Sequence, residues 1–315
     1  MEKNSITSTY KSQDTEEWFD KVFNRPIGYR WALLFARLGV HPNTVTIFSM
    51  ILGVAAAVCF WWDADTTKGL IINIIGVLLL VWANHYDSAD GQLARMTGQK
   101  TPLGRILDGA SSDVWFIPIY FFICLRLFDK PLPFFPEYTW GGWAFVTAAV
   151  SGFICHTYQC QLADYYRNIH LFFLKGDGGS EFDNYAEQKA KFDSMPWRGH
   201  LIEKGFQWFY VNYTHTQELA SPQFQRFYRL LKAKYNGQYP QDVRDRFRAL
   251  SLPLMKWTNI LTFNTRAAAL YIAVLIDEPW LWWAFEIVVL SAIYFHMRHQ
   301  HESFCRRWAD ELATP

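Results

Sequence analysis

The chain has 315 residues, 51% hydrophobic and 18% aromatic, with 15 Trp, 16 Tyr and 26 Phe, and a formal net charge of +1. So many rings suggest a bilayer interface, where Trp and Tyr collect, and the near-zero charge excludes the basic signature of a nucleic-acid binder. Mean hydropathy is only −0.05 because long apolar segments alternate with charged ones.

In chain order, residues 1–18 lack the apolar run of a cleavable signal peptide. Residues 15–39 place apolar side chains at helical spacing between charges, which predicts an amphipathic helix, whole or broken, on the membrane surface. Six apolar segments follow, at about 44–62, 69–86, 103–128, 141–162, 255–276 and 279–297; a bilayer crossing takes about 20 residues. The connectors 63–68, 129–139 and Asp277–Glu278 hold only Lys68 and Lys130 as cations, and nearly all other Lys and Arg fall on the opposite side. By the positive-inside rule both termini, the turn at 97–102 and the long segment 175–254 are cytoplasmic. A soluble helical bundle would not sort its cations by alternate loops.

The expected fold is an all-α integral membrane protein with six transmembrane helices, an N-terminal amphipathic surface helix and a cytoplasmic helical insert between spans four and five. Residues 1–40 form the N-terminal segment, 41–175 the first four spans, 176–254 the insert, and 255–315 the last two spans with a tail. Within the insert, PQFQRFYRLLKAKY and PQDVRDRFRALSLPL are helical patterns that each open on proline, and nothing there suggests chemistry of its own. The five cysteines, Cys59, Cys124, Cys155, Cys160 and Cys305, show no metal-ligand spacing and read as packing residues.

Residues 87–113, DSADGQLARMTGQKTPLGRILDGASSD, put four aspartates at the cytoplasmic ends of spans two and three. Asp87 and Asp90 are three residues apart and share a helix face. Carboxylates converging at a membrane boundary repel one another and would protonate unless a cation joins them. The cluster offers only oxygen ligands, so that cation is hard: Mg²⁺, Mn²⁺ or Ca²⁺. Gly91, Gly98, Gly104 and Gly109 let a ligand approach the backbone, and Arg95 beside the acids suggests a phosphate.

Asp87-x-x-Asp90-Gly91-x-x-Ala94-Arg95, eight residues, then Gly104-x-x-x-Asp108 resembles the signature of the CDP-alcohol phosphotransferase family. His41-Pro42-Asn43-Thr44-Val45-Thr46 resembles the family's Pro-Asn-x-x-Thr segment. The resemblance covers roughly residues 27–170, extends to 255–300 by topology alone and leaves the insert unmatched. It implies a membrane enzyme that moves a substituted phosphate from a CDP-linked donor to an alcohol and releases CMP. It also implies a two-metal site of Mg²⁺ or Mn²⁺ with Asp87, Asp90 and Asp108 as ligands, and a homodimer. Gly91, Ala94 and Arg95 match positions around the CDP moiety, and Gly104 and Thr46 are further candidates for binding it.

The family's acceptor base is a fourth aspartate, four residues after the third; here that position is Ser112, and Asp113 comes one later. Five residues of regular helix turn Asp113 about 140° from Asp108. Either a one-residue π-bulge near 109–112 returns Asp113 to the site as metal ligand and base, the favoured reading, or Ser112 faces the metals and Asp113 is structural.

Intramembrane ionisable residues are candidates for binding the acceptor: His156, Asp164, Arg167, Arg266 and Glu286. Arg167 and Arg266, with Arg298, could hold the phosphate of an acceptor such as inositol phosphate or glycerol phosphate, although Arg298 could be a simple positive-inside anchor and Arg266 could pair with Glu286. His296, His299 and His301 read as an interfacial helix end rather than a zinc site. The leading substrate pair is CDP-diacylglycerol with a polar alcohol such as inositol phosphate, inositol or glycerol phosphate. Alternatives are a CDP-ethanolamine or CDP-choline phosphotransferase acting on a lipid alcohol, a Mg²⁺-dependent prenyltransferase and a divalent-cation transporter. A prenyltransferase needs a second Asp-rich motif, and a transporter needs acids near the midplane of several helices.

Overall fold

The computed structural model describes residue 12 and residues 14–99, 102–176, 180 and 182–314. It is 81% helical; the strands among the described residues are a short hairpin, β1 (Pro131–Leu132) with β2 (Phe135–Thr139). Three helical runs among these residues are long and apolar enough to cross a membrane: Pro42–Cys59, Thr67–Thr97 and Trp280–Ala313. The chain divides into two compact units, residues up to 156 with Phe263–Val289, and Thr157–Thr262 with the residues from 290 onward.

In the first unit a π-helical turn, Asp20–Asn24, runs into α1 (Arg25–Arg37), so the N-terminal pattern is one continuous helical run with a π turn in it. α2 (Pro42–Cys59) starts with Pro42 in its first turn, where the missing N–H costs nothing, and His41 Nδ1 accepts from the Asn43 N–H at 3.2 Å. α3 (Thr67–Thr97) is capped by Thr66, whose hydroxyl accepts from the Gly69 N–H at 3.0 Å, and it stops at Gly98, whose φ of +72° suits glycine. This one helix carries the second apolar segment and the Asp87–Arg95 motif without a break. α4 (Pro102–Leu127) follows, and α5 (Gly142–Ala149) continues as a π-helical stretch, Val150–His156. α12 (Phe263–Leu275) and α13 (Trp280–Ala284), the latter running into a second π stretch at Phe285–Leu290, complete the unit.

Its core joins Ala56, Ala57, Leu80, Ala83, Trp115, Ile119, Ile123, Ala144, Leu270, Trp282 and Trp283. Trp115 lies directly against Gly53 of α2: a Cβ there would sit 2.0 Å from Trp115 Cδ1. α1 buries Ala32 and Phe35 against Val45, Ala89 and Leu93, which fixes it beside the motif-bearing end of α3.

The opposite end of this bundle closes on Arg126, a buried cation that the loop count above did not include. Its guanidinium donates to Phe60 O at 3.1 Å, Asn73 Oδ1 at 2.9 Å and Val274 O at 3.2 Å, and it pairs with Asp277. Asn73 in turn donates to Trp62 O at 2.8 Å, so the ends of α2, α3, α4 and α12 are tied to one side chain.

The second unit holds α6 (Thr157–Lys175), α7 (Tyr185–Ser194), α8 (Leu201–Ala220), α9 (Pro222–Tyr235), α10 (Gln241–Ser251), α11 (Met255–Ile260) and α14 (Ser291–Ala313). Both proline-led patterns of the insert are helices, α9 and α10. Glu302 accepts from the Gln223 and Phe224 N–H groups at 2.7 and 3.2 Å, placing a carboxylate at the positive end of α9. His301 is buried, stacked on Tyr166 with centroids 3.7 Å apart, while His296 meets the Trp257 ring; both act as packing residues.

Candidate functional site

Three helices meet at the motif. α3 supplies Asp87, Asp90, Gly91, Ala94 and Arg95; α4 supplies Gly104, Asp108, Ser111, Ser112 and Asp113; the first turns of α2 supply Thr46. Asp90 is buried and accepts a hydrogen bond from the Thr46 hydroxyl. Thr46 is itself placed by the start of α2, where Ser49 Oγ donates to Thr46 O at 2.7 Å. Asp87, half-buried one turn earlier on α3, accepts from Ser111 Oγ at 2.6 Å. Each carboxylate thus accepts a hydrogen bond from a hydroxyl on a neighbouring helix, a contact that fixes its direction.

α1 also supports this end of α3. The buried Gln92 donates to Arg25 O and to Ser88 Oγ, both at 3.2 Å. Arg95 folds back over Gly91, where an added Cβ would stand 3.4 Å from Arg95 Nη1. Glycine at 91 therefore keeps the surface between the acids and the guanidinium open.

Ser111 was not singled out in the sequence. It lies three residues after Asp108, about 300° around the helix, so the two share a face. The signal was a hydroxyl in register with the third aspartate, and it carried no information on which acid it would meet. Asp108 lies in the first turns of α4, but its side chain is outside the described residues. Gly104 is half-buried on the same helix.

The expected π-bulge is absent: α4 is continuous α-helix from Pro102 to Leu127. With no extra residue in the turn, Ser112 stays about 40° from Asp108 and Asp113 about 140°. Ser112 is half-buried and Asp113 exposed. A one-residue offset in a helix is corrected only where the backbone can adopt a wider turn, and here the ladder of hydrogen bonds stays regular.

The acceptor candidates divide between the units. In the first, Arg266 and Glu286 are fully buried and form an ion pair, and Glu286 also accepts from the Tyr120 and Ser151 hydroxyls, with His156 Nδ1 3.6 Å away. Ser151, His156 and Glu286 all come from π-helical stretches. In the second unit, Arg167 donates to Asn259 Oδ1 at 3.1 Å, Arg298 to Ala220 O at 2.7 Å, and Asp164 accepts from Tyr213 at 3.0 Å.

Whether this end of the bundle fits a hard cation is a question of donor chemistry. Asp87 and Asp90 present carboxylate oxygens from one helix face, and residues 87–113 contain no Cys or His. That set fits Mg²⁺ or Mn²⁺. Among the described residues no three Cys, His, Asp or Glu side chains come together as a metal cage, and the third aspartate of the motif is the one whose side chain lies outside them.

No curated protein matches the chain. Residues 39–166, the stretch that holds Thr46, the whole aspartate motif and helices α2 to α5, match the family model of the CDP-alcohol phosphatidyltransferases.

Proposed function

We propose that the protein is a phospholipid-synthesising enzyme that transfers the phosphatidyl group of CDP-diacylglycerol to a polar alcohol, such as inositol phosphate, inositol or glycerol phosphate, with release of CMP. The observation that carries this reading is the convergence of α2, α3 and α4 on Asp87 and Asp90, each held in direction by a hydroxyl, inside the segment that defines the family. In this reading Asp87, Asp90 and Asp108 hold one or two divalent cations, and Gly91, Ala94, Arg95, Gly104 and Thr46 border the CDP moiety. A bound Mg²⁺ or Mn²⁺ would supply charge neutralisation of the diphosphate and of the departing CMP.

The chain's own groups do the rest. Thr46 and Ser111 keep the carboxylates pre-set, so little reorganisation accompanies charge development. Arg95 lies over Gly91, in position to meet a phosphate oxygen. The regular α4 favours a site with three carboxylates and with Ser111 and Ser112 on the cation side; Asp113 enters as fourth ligand and base only through a change of helix register. Arg266 is committed to Glu286, which leaves Arg167 and Arg298 as the candidates for an acceptor phosphate.

Six spans, a cytoplasmic site with both termini on that side, an N-terminal helix on the membrane surface and a homodimer complete the proposal. Cation sorting between loops supports the orientation, and family resemblance supports the dimer. The test is CMP release from membranes containing the chain, given Mg²⁺, CDP-diacylglycerol and a panel of alcohols, with CDP-ethanolamine and diacylglycerol as the comparison pair. CMP with the first donor and a polar alcohol supports the reading. CMP only with the second pair reassigns the chain to the amino-alcohol branch, and none with either refutes both.

A further inference from the structure

The insert contains a helix built inside out. Along α8 most of the inward positions are polar: Lys204, Gln207, Thr214 and Gln217 are 7%, 8%, 1% and 6% exposed, with Val211 the apolar residue among them. Three of these four bond to other parts of the second unit: Lys204 Nζ to Met195 O, Gln207 to Gln188 Oε1 at 2.9 Å, and Gln217 to Gln161 O at 3.0 Å. The outward positions are mostly apolar, with Asn212 a polar residue among them. Leu201, Trp208, Phe209 and Leu219 are 68%, 49%, 66% and 64% exposed, and at about 100° per residue they fall within roughly 100° of one another.

A helix facing water shows the reverse arrangement, and a contiguous apolar face on a folded protein marks a surface that something covers. Charge indicates what covers this one. In the turn leading into α8, Trp197 and Arg198 are both exposed beside Leu201. Near the turn, Asp193 pairs with Lys189 at 2.9 Å and Glu203 meets His200 at 2.6 Å, while the exposed Glu187 lies at the far end of α7. Lys191 and Arg198 have no carboxylate partner among the described residues, so the turn between α7 and α8 is cationic. Aromatic and aliphatic side chains bordered by unmatched Lys and Arg are the composition of a segment that sits in the interface of a bilayer bearing anionic headgroups. The chain is itself an integral membrane protein, so that surface is within reach without a second binding event.

We infer that the α7–α8 hairpin docks on the phospholipid interface through Trp197, Leu201, Trp208, Phe209 and Leu219, with Arg198 and Lys191 meeting lipid phosphates. The insert is then a membrane-bound element rather than a cap exposed to water on all sides. This holds whatever reaction the aspartate motif performs.

The experiment places p-benzoylphenylalanine at Phe209 in the full chain, reconstituted in vesicles of phosphatidylcholine and phosphatidylglycerol, with the same probe at the exposed Ala190 of α7 as reference. After irradiation, mass spectrometry should find phospholipid adducts several-fold more abundant at position 209 than at 190, and Arg198→Glu should lower the phosphatidylglycerol share. The probe at Trp208 repeats the measurement if the first variant does not fold. Adducts to a second copy of the chain or to another protein would overturn the inference, as would equal lipid yields at positions 209 and 190.

Discussion

The two ends of the first unit bury polar groups in opposite ways. Around Arg126 the charge is closed by the protein itself, with acceptors from α2, α3 and α12 and the carboxylate of Asp277 all meeting one guanidinium. At the other end Asp87 and Asp90 accept hydrogen bonds from the hydroxyls of Ser111 and Thr46, which direct the carboxylates. The first arrangement ties one guanidinium to a carboxylate and to three acceptors of the bundle, and it serves the fold. The second turns two carboxylates on one helix face in set directions, the arrangement on which the proposed cation site rests. The same helices, α2, α3 and α4, serve both ends.

Substitutions should separate the two roles. Asp87→Asn or Asp90→Asn should lower CMP release on the order of 10²-fold to 10³-fold, the scale of losing one electrostatic stabiliser of a transition state, while the elution profile in detergent stays that of the folded protein. Arg126→Leu should do the reverse, costing about 3–5 kcal/mol of stability because Asp277 loses its buried partner; a thermal melt in detergent measures it, and activity per folded molecule should persist. If Arg126→Leu melts like the parent chain, the closed end is not what holds the bundle.

Smaller effects sharpen the comparison. Gly53→Leu forces Trp115 aside and should cost about 1–3 kcal/mol in the same melt. Ser111→Ala removes one hydrogen bond to Asp87, worth about 1 kcal/mol or roughly fivefold, and should raise the Mn²⁺ concentration needed for half-maximal metal binding, followed by electron paramagnetic resonance. The pair Ser112→Ala and Asp113→Asn tests the helix register. Asp113→Asn should retain turnover; a loss on the order of 10²-fold, the size of a missing general base, would show that α4 rotates to deliver Asp113.

Much of the motif was legible because its signals are local. Asp87, Asp90 and Arg95 sit where their spacing placed them, on the last turns of a helix that Gly98 ends. Two helices of the insert, α9 and α10, were legible from Pro222 and Pro240, while α7 and α8, which open on no proline, were not. What escaped was non-local or backbone-borne. Ser111 lies 24 residues from Asp87, and a serine at that distance says nothing about its partner until α3 and α4 are set side by side. Arg126 read as one more residue at the end of an apolar segment, since its acceptors come from three separate parts of the chain. The π stretches at Val150–His156 and Phe285–Leu290 carry no composition that distinguishes them from α-helix, yet they deliver Ser151 and Glu286 to each other. At 109–112 a bulge was expected from a displaced aspartate, and the regular helix shows that a functional argument does not bend a backbone.

The central claim is that Asp90, held by Thr46, works on a CDP-linked lipid through a divalent cation. The most direct test is CMP release by purified parent chain and Asp90→Asn, matched for folded protein, in vesicles containing CDP-diacylglycerol, a polar alcohol and Mg²⁺, with and without EDTA. The account predicts release from the parent chain that EDTA abolishes and that Asp90→Asn lacks. Release that survives both the chelator and the substitution would contradict it.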